Sequence, residues 1–544
     1  MNRLSIFAAY LAAALMFLAA SPVAADSNQA LSDGLSGLVT KSFSKKAVAV
    51  EAVAQVDHPR IAKILDAMLN GALYYRKSDE RVVIAEETDD GYAITDAVTH
   101  ASLGEVSKRE IKKISVNNKL RRQLRSAIAR LTLFSEEPAV RLDAVQNLTK
   151  SIDDEAVELL QQRLPEETNN KVRAAINVAL ALVALDSDDR QVRLEAVAVL
   201  GDSLNTEARA KLSAMMQKTA SGEYAEPDRA VRKAAEKALA SIDSRLQFYQ
   251  GVETVFFGLS LGSVLLLAAI GLAITFGVMG VINMAHGELI MLGAYTTFVV
   301  QQLMPNYIDY SLFVAIPAAF LVAGLTGIAI ERGVIRFLYG RPLETLLATF
   351  GISLILQQAV RTIFSPLNRS VETPSWMSGS WEINAVLSLT YNRLYIIIFA
   401  LLVFVALLLI LKKTPLGLQV RAVAQNRAMA RAMGVRSGWV DAMTFGLGSG
   451  IAGVAGVALS QLTNVGPNLG QAYIIDSFMV VVFGGVGNLW GTLVGAMSLG
   501  LVNKLLEPWS GAVLAKILVL VAIILFIQKR PRGLFPQRGR AAEH

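Results

Sequence analysis

Two ionisable side chains, His286 and Glu288, stand inside an otherwise apolar run that reads Asn283-Met284-Ala285-His286-Gly287-Glu288. Ionisable groups are costly in hydrocarbon, so they line a polar path or face another subunit. At the bilayer interface the same pair would be solvated at little cost, and the spacing alone leaves both readings open. A second polar segment, Leu462-Thr463-Asn464-Val465-Gly466-Pro467, is followed by the turn Gly484-Gly485-Val486-Gly487-Asn488. Polar groups and carbonyls beside broken helices return to a solute the hydrogen bonds it loses on leaving water. Asn283, His286, Glu288, Thr463, Asn464, Gly466, Gly484 and Gly485 are therefore the candidate substrate path. The competing structural reading has Asn283 and Asn464 capping helix ends.

A third segment runs from Thr414 to Val435 and holds Gly417, Arg421, Ala422, Asn426, Arg427, Ala430, Arg431 and Gly434. Ala422, Asn426, Ala430 and Gly434 recur every four residues, which predicts one short helix with a small-residue stripe flanked by arginines. Such a helix either docks into a partner or simply supplies the basic charge of an inner loop; the defined stripe favours docking.

Other chemistries fall away on context. Gly258-Leu-Ser260-Leu-Gly262 has the spacing of a hydrolase nucleophile turn, but it lies in an apolar helical run where glycines serve close helix packing. Gly448-Ser-Gly450-Ile-Ala-Gly453 has the dinucleotide-loop spacing without a strand before it. No GxxxxGK[ST] loop occurs, so uphill movement would draw its energy from another subunit. Cysteine is lacking and the four histidines are widely scattered, which leaves no metal cluster, no thiol nucleophile and no catalytic constellation. No cofactor is expected.

The elements that must position these segments follow from a split in composition. Residues 1–250 carry 33 Lys/Arg and 34 Asp/Glu with 7 glycines, whereas residues 251–544 carry 19 and 11 with 33 glycines. The first part has the charge of a water-exposed domain and the second does not. The pI near 9.3 then reflects basic loops on an apolar body, and no nucleic-acid surface is implied. Residues 1–25 read as a secretory signal peptide, or alternatively as an uncleaved anchor. Residues 26–250 repeat Val140-Arg141, Val172-Arg173, Val192-Arg193 and Val231-Arg232, each followed at +4 and +8 by apolar residues. That spacing predicts helices with one apolar face, stacked as a HEAT-like repeat domain or packed as an unrelated bundle. Residues 78–125 fit the repeat badly and suggest a small hairpin at 82–84 and 91–94.

From residue 254 apolar runs recur at 254–276, 285–304, 312–335, 343–364, 394–411, 438–461, 474–487, 489–503 and 512–528, about eight or nine membrane segments. Their loops place 14 basic residues on one side and three on the other. This puts residues 26–250 on the outer, periplasmic side of the membrane and the tail, 537–544, in the cytoplasm.

With those three segments in that order, residues 252–536 resemble the permeases of the branched-chain amino-acid ABC importer family. The wording from Asn283 to Tyr295, the Thr463–Pro467 loop and the long leading domain resemble its urea-transporting branch. The resemblance implies an all-α polytopic inner-membrane permease, at 251–536, forming half of a translocation path for urea or, alternatively, branched-chain amino acids. It implies as partners a second homologous permease, two ABC ATPase subunits that dock on the 417–434 helix, and a secreted substrate-binding protein, all working at a lipid bilayer. A passive channel and a membrane-anchored scaffold are the alternatives of another class.

Overall fold

The computed structural model describes residues 22–535, apart from 57, 89–90, 151, 219–221 and 385. Most of the expected leader and the whole of 537–544 lie outside the described residues. The chain divides into two compact units after Arg245.

The first unit opens with α1 (Pro22–Ser36), α2 (Phe43–Ala54) and α3 (Ile61–Asn70). Five strands follow: β1 (Leu73–Arg76), β2 (Val82–Thr88), β3 (Gly91–Asp96), β4 (Ser102–Val106) and β5 (Ile111–Lys113). They form one antiparallel sheet in the order β4-β3-β2-β1-β5, with Val83 opposite Asp96 and Ala85 opposite Ile94. The wholly helical expectation is corrected here. The hairpin anticipated at 82–84 and 91–94 is the β2–β3 pair, and it sits at the centre of a sheet. The flanking strands are three to five residues long, too short to show a period of their own in the sequence.

Helices then resume as α4 (Asn118–Thr132), α5 (Pro138–Thr149), α6 (Asp154–Arg163), α7 (Asn170–Ala184), α8 (Arg190–Gly201) and α9 (Thr206–Met215). Asn117, Asp153, Asn169, Asp189 and Asn205 each cap the helix that follows by accepting from its first-turn N–H groups. The recurrent Val-Arg phrase marks the first turns of α5, α7 and α8 and of the next helix, α10 (Arg229–Met279). In three of the four, the arginine reaches back to two carbonyls just upstream: Arg141 to Ser135 and Glu136, Arg193 to Ser187 and Asp188, Arg232 to Glu226 and Pro227. Arg173 reaches the Glu167 carbonyl. The +4 residues Ala144, Ile176, Ala196 and Ala235 are all buried. At the first position the pattern departs from expectation, since Val192 is exposed.

The second unit contains α11 (His286–Leu303), α12 (Ile308–Gly333), α13 (Pro342–Phe364), a short hairpin β6–β7 (Ser380–Glu382 and Ser388–Thr390), α14 (Tyr391–Lys413), α15 (Pro415–Gln425), α16 (Arg427–Ala432), α17 (Ser437–Ser460), α18 (Leu469–Gly484) and α19 (Leu489–Lys529). Six helices among the described residues are long and apolar enough to cross a membrane. The expected segments 489–503 and 512–528 are the two arms of α19, broken at Gly511 (φ 75°) just past Pro508.

Glycines hold this unit together. A side chain at Gly293 would strike the Gly453 carbonyl, and one at Gly271 would strike that of Gly448. Gly456 lies equally close to the Ile290 carbonyl of α11. The GxGxxG glycines are thus the buried seam of α17, and Gly258 and Gly262 press on the backbone of α19 at Leu501 and Met497.

Candidate functional site

Helix α11 begins well inside the unit. Its first residue, His286, donates from Nε2 to the Ala268 carbonyl at 2.8 Å, and this carbonyl lies eleven residues before the end of α10. At 1.5 Å per residue the connection 280–285 climbs about 16 Å back along α10 before α11 starts. The start of α18 meets it there, because Gly287 and Gly470 touch backbone to backbone. From that contact the two helices lead apart. α11 passes Gly453 and ends near Leu312 and Val457, and α18 ends at Gly484 against Gly491. Two helix N-termini, each bearing a partial positive charge, therefore face one buried place.

The ionisable residues stand at this junction. Glu288 is buried; its Oε1 accepts from Ser353 Oγ at 2.9 Å and from Gln357 Nε2 at 2.7 Å, while Oε2 has no hydrogen-bond partner. Asn283 Oδ1 accepts from the Ala285 N–H at 3.0 Å, closing the turn that leads into α11. Among the described residues, the buried Asn283 Nδ2 and His286 Nδ1 atoms have no hydrogen-bond partner. Met284 N–H donates to Thr349 Oγ1 at 3.1 Å. Sequence reasoning passed over Thr345, Thr349, Ser353 and Gln357, which are all buried on α13. Their spacing of four residues in an apolar span was the available signal, for it puts four polar groups on one face.

The other expected path residues are elsewhere. Thr463 and Asn464 are exposed just past the end of α17. Thr463 donates to the Leu459 carbonyl, and Asn464 caps no helix. Val465 pairs through its backbone with Arg369, and Gly466 is held against the Asn368 side chain. Gly484 packs on Gly491 at the far end of α18, and Gly485 (φ 104°) lies against the backbone of Phe535. Of the eight residues, Asn283, His286 and Glu288 form one cluster, while the other five are split between the two remaining places.

The segment 414–435 also differs from expectation. It forms two helices, with Asn426 in extended conformation between them and its side chain capping α16. The four-residue stripe is thereby broken. Ala430 turns inward among Val420, Val423 and Val440, Gly417 presses on the Leu411 carbonyl, and Gly434 ends the segment at φ 86°. Arg427 is tied to Asp441 at 2.8 and 3.0 Å and to Tyr339 Oη at 2.8 Å, and Arg421 bonds the Leu411 carbonyl. The exposed face of the segment includes the large apolar side chains Leu418, Met429 and Met433, with Arg421, Asn426, Arg431 and Gly434 also exposed. Ala422 is half-buried.

Residues 254–527 match the family described as branched-chain amino acid transport system / permease component. Among the similar proteins, the high-affinity branched-chain amino acid transport system permease LivH of Salmonella typhimurium is 32% identical over 298 residues, covering 53% of this chain and 96% of that protein. The corresponding permease BraD of Pseudomonas aeruginosa is 29% identical over 297 residues, with the same coverage. The ribose import permease RbsC of Bacillus subtilis is 31% identical over 136 residues, covering 23% of this chain and 42% of its own length.

Proposed function

This chain belongs to the branched-chain amino acid transport permease family, and from that premise we propose that it forms half of an ATP-driven import path for a small aliphatic amino acid. It is an ABC permease subunit and not an enzyme. The second half of the path would come from a homologous permease, the energy from two ATPase subunits, and the solute from a secreted binding protein. The observation that carries the substrate is the junction at Gly287 and Gly470. Two helix N-termini and the unpartnered donor Asn283 Nδ2 favour a carboxylate. An amino acid has one and urea does not. Leaving buried polar atoms unpaired costs about 1–3 kcal/mol each, an expense that a passing solute would offset. Urea remains the second reading because the two branched-chain amino acid permeases named above match only about half of this chain. Of the three features that prompted that reading, the leading region falls outside the match, while the Asn283–Tyr295 wording and the Thr463–Pro467 loop lie within it.

For coupling, we read the exposed face of α15 and α16 as the ATPase contact, with Met429 and Met433 at its centre and Asn426, Arg421 and Gly434 at its margin. Ala430 belongs to the chain's own packing, so enlarging it would disturb this segment before any partner met it. The periplasmic placement of 26–250 and the cytoplasmic tail rest on loop charge. The arginine-to-carbonyl clamps that recur at helix starts support a HEAT-like stacking of α5–α9.

Reconstitution of the five subunits in vesicles, with uptake of labelled leucine and labelled urea, tests the reading. Leucine uptake that requires ATP and falls at least tenfold in His286→Leu is the expected result. Urea uptake without leucine uptake would overturn the substrate, and uptake without ATP would make the protein a channel.

A further inference from the structure

Residues 108–125 carry eight basic side chains and a single acid, Glu110. The remainder of 1–250 carries 25 basic and 33 acidic residues, so this short stretch holds +7 while everything around it holds −8. Four of the cations lie on the β4–β5 turn and on β5, and four lie on α4 (Lys119, Arg121, Arg122 and Arg125). All eight are exposed. Among the described residues none of the eight forms an ion pair, whereas Arg130, Arg141, Arg193 and Arg209 nearby in sequence all do. The one acid within the stretch is occupied, since Glu110 accepts from both the N–H and the hydroxyl of Ser107.

The two groups of cations share one scaffold. β5 is an edge strand, paired only with β1, with Ile111 buried and Lys112 and Lys113 turned outward. Ile114, Leu120 and Leu124 enter the same apolar core, which fixes α4 beside the end of β5. Lys46 Nζ donates to the Ser115 carbonyl at 2.8 Å and pins the connection between them. The charge is therefore carried by a folded surface.

We propose that this basic face binds the anionic headgroups of a phospholipid bilayer. The partner is polyanionic in chemistry, because among the described residues no acid of this unit pairs with any of the eight cations. A bilayer fits better than a protein. Protein interfaces are built around an apolar or aromatic core and are poor in lysine, and no large apolar side chain is exposed between residues 101 and 130. A diffuse array of long, mobile cations suits headgroups, where each residue close to the surface raises affinity about fivefold. The chain itself supplies proximity: α10 starts in this unit and continues into an apolar span, so lipid is always present at high effective concentration. The acidic remainder would be repelled by the same surface, which makes the attachment directional.

The test uses the full chain in nanodiscs of phosphatidylcholine, with or without phosphatidylglycerol. Amine labelling of Lys108, Lys112, Lys113 and Lys119 is followed by mass spectrometry, with exposed Lys171 as the internal control. Labelling of the four should slow by about fivefold or more when phosphatidylglycerol is present, and added salt should restore it as the screening length shrinks. The combined variant Lys112→Gln, Lys113→Gln, Arg121→Gln and Arg122→Gln changes only exposed positions, and it should abolish the protection of Lys108 and Lys119. Equal labelling in both kinds of nanodisc overturns the proposal. So does protection that arises in pure phosphatidylcholine only on adding a soluble protein, which would assign the face to a protein partner.

Discussion

In the first unit, helices are held by aliphatic stripes and by arginines that reach back to carbonyls; in the second, the same job falls to glycines pressed backbone to backbone. Leu148, Val172 and Ile176 are fully buried in the first, and Arg141 and Arg193 bridge to Glu167 and Glu226. In the second, the contacts between α11 and α17 run through Gly293, Gly453 and Gly456. The difference follows from the solvent. In water, apolar burial contributes about 25 cal/mol per Å², so large side chains draw helices together. In lipid that drive vanishes, because the tails are as apolar as leucine, and close approach of small residues must supply the packing.

The sharpest way to break this comparison is to give each unit the other's defect. Gly293→Leu should abolish the folded membrane unit, because the new side chain meets the Gly453 backbone and neither helix can yield. Leu148→Ala should cost about 2–5 kcal/mol and leave a weakened but folded first unit. Detergent-solubilised yield and thermal unfolding of both variants check this. A stable Gly293→Leu protein would mean that α11 and α17 are held by something other than glycine contact.

The same contrast explains what the sequence revealed. Hydropathy and charge change near residue 250, close to the division after Arg245, and the long apolar runs were legible because length and polarity are properties of a single segment. Gly258 and Gly262 were legible as close-packing glycines for the same reason, since they lie in one apolar helical run. The meeting of Gly287 with Gly470 was not visible, as it joins residues far apart in the chain through a contact that leaves no periodic trace. Glu288 was found because a charge in an apolar run is conspicuous. Its donors Ser353 and Gln357 were missed because they carry no charge, and only the four-residue spacing they share with Thr345 and Thr349 marks them out. The 417–434 segment misled for a local reason. A four-residue recurrence implies one face only while the helix is unbroken, and Asn426, an effective N-cap, breaks it.

The second prediction concerns charge where the two materials meet. Asp441 is buried at the start of α17 and receives both arms of Arg427, whose guanidinium also lies over the Tyr339 ring at 4.2 Å. Asp441→Leu leaves that cation without its anion, and breaking such a pair costs about 3 kcal/mol or more. The segment 414–435 should loosen from the membrane helices while those helices remain inserted. Faster proteolysis near Arg431 with unchanged thermal stability of the remainder is the expected signature. Arg427→Leu combined with Asp441→Leu should recover part of the loss, because the unpaired charge is then removed. No recovery would show that the hydrogen bond to Tyr339 matters more than the ion pair.

The smallest effect is expected in the first unit and depends on pH. Glu167 is fully buried, and the Arg141 guanidinium that bonds both its oxygens, at 2.7 and 2.8 Å, holds its carboxyl down to about 2 from an ordinary value of 4.5. The Asn169 N–H and Arg163 lower it further. A carboxylate whose folded-state pKa is depressed binds fewer protons folded than unfolded, so its contribution is complete above the unfolded value near 4.5. That contribution is lost as the pH falls towards 2. Both partners are buried, so bulk water screens the pair little, and the stability lost over this interval should be at most about 3 kcal/mol. Unfolding of the first unit, followed by circular dichroism between pH 5 and pH 2, should therefore become steadily easier. In Glu167→Gln the unit should start less stable and show a shallower slope over the same interval. An unchanged slope would assign the acid sensitivity to other carboxylates, and the Arg141 clamp would then hold its helix through the Ser135 and Glu136 carbonyls alone.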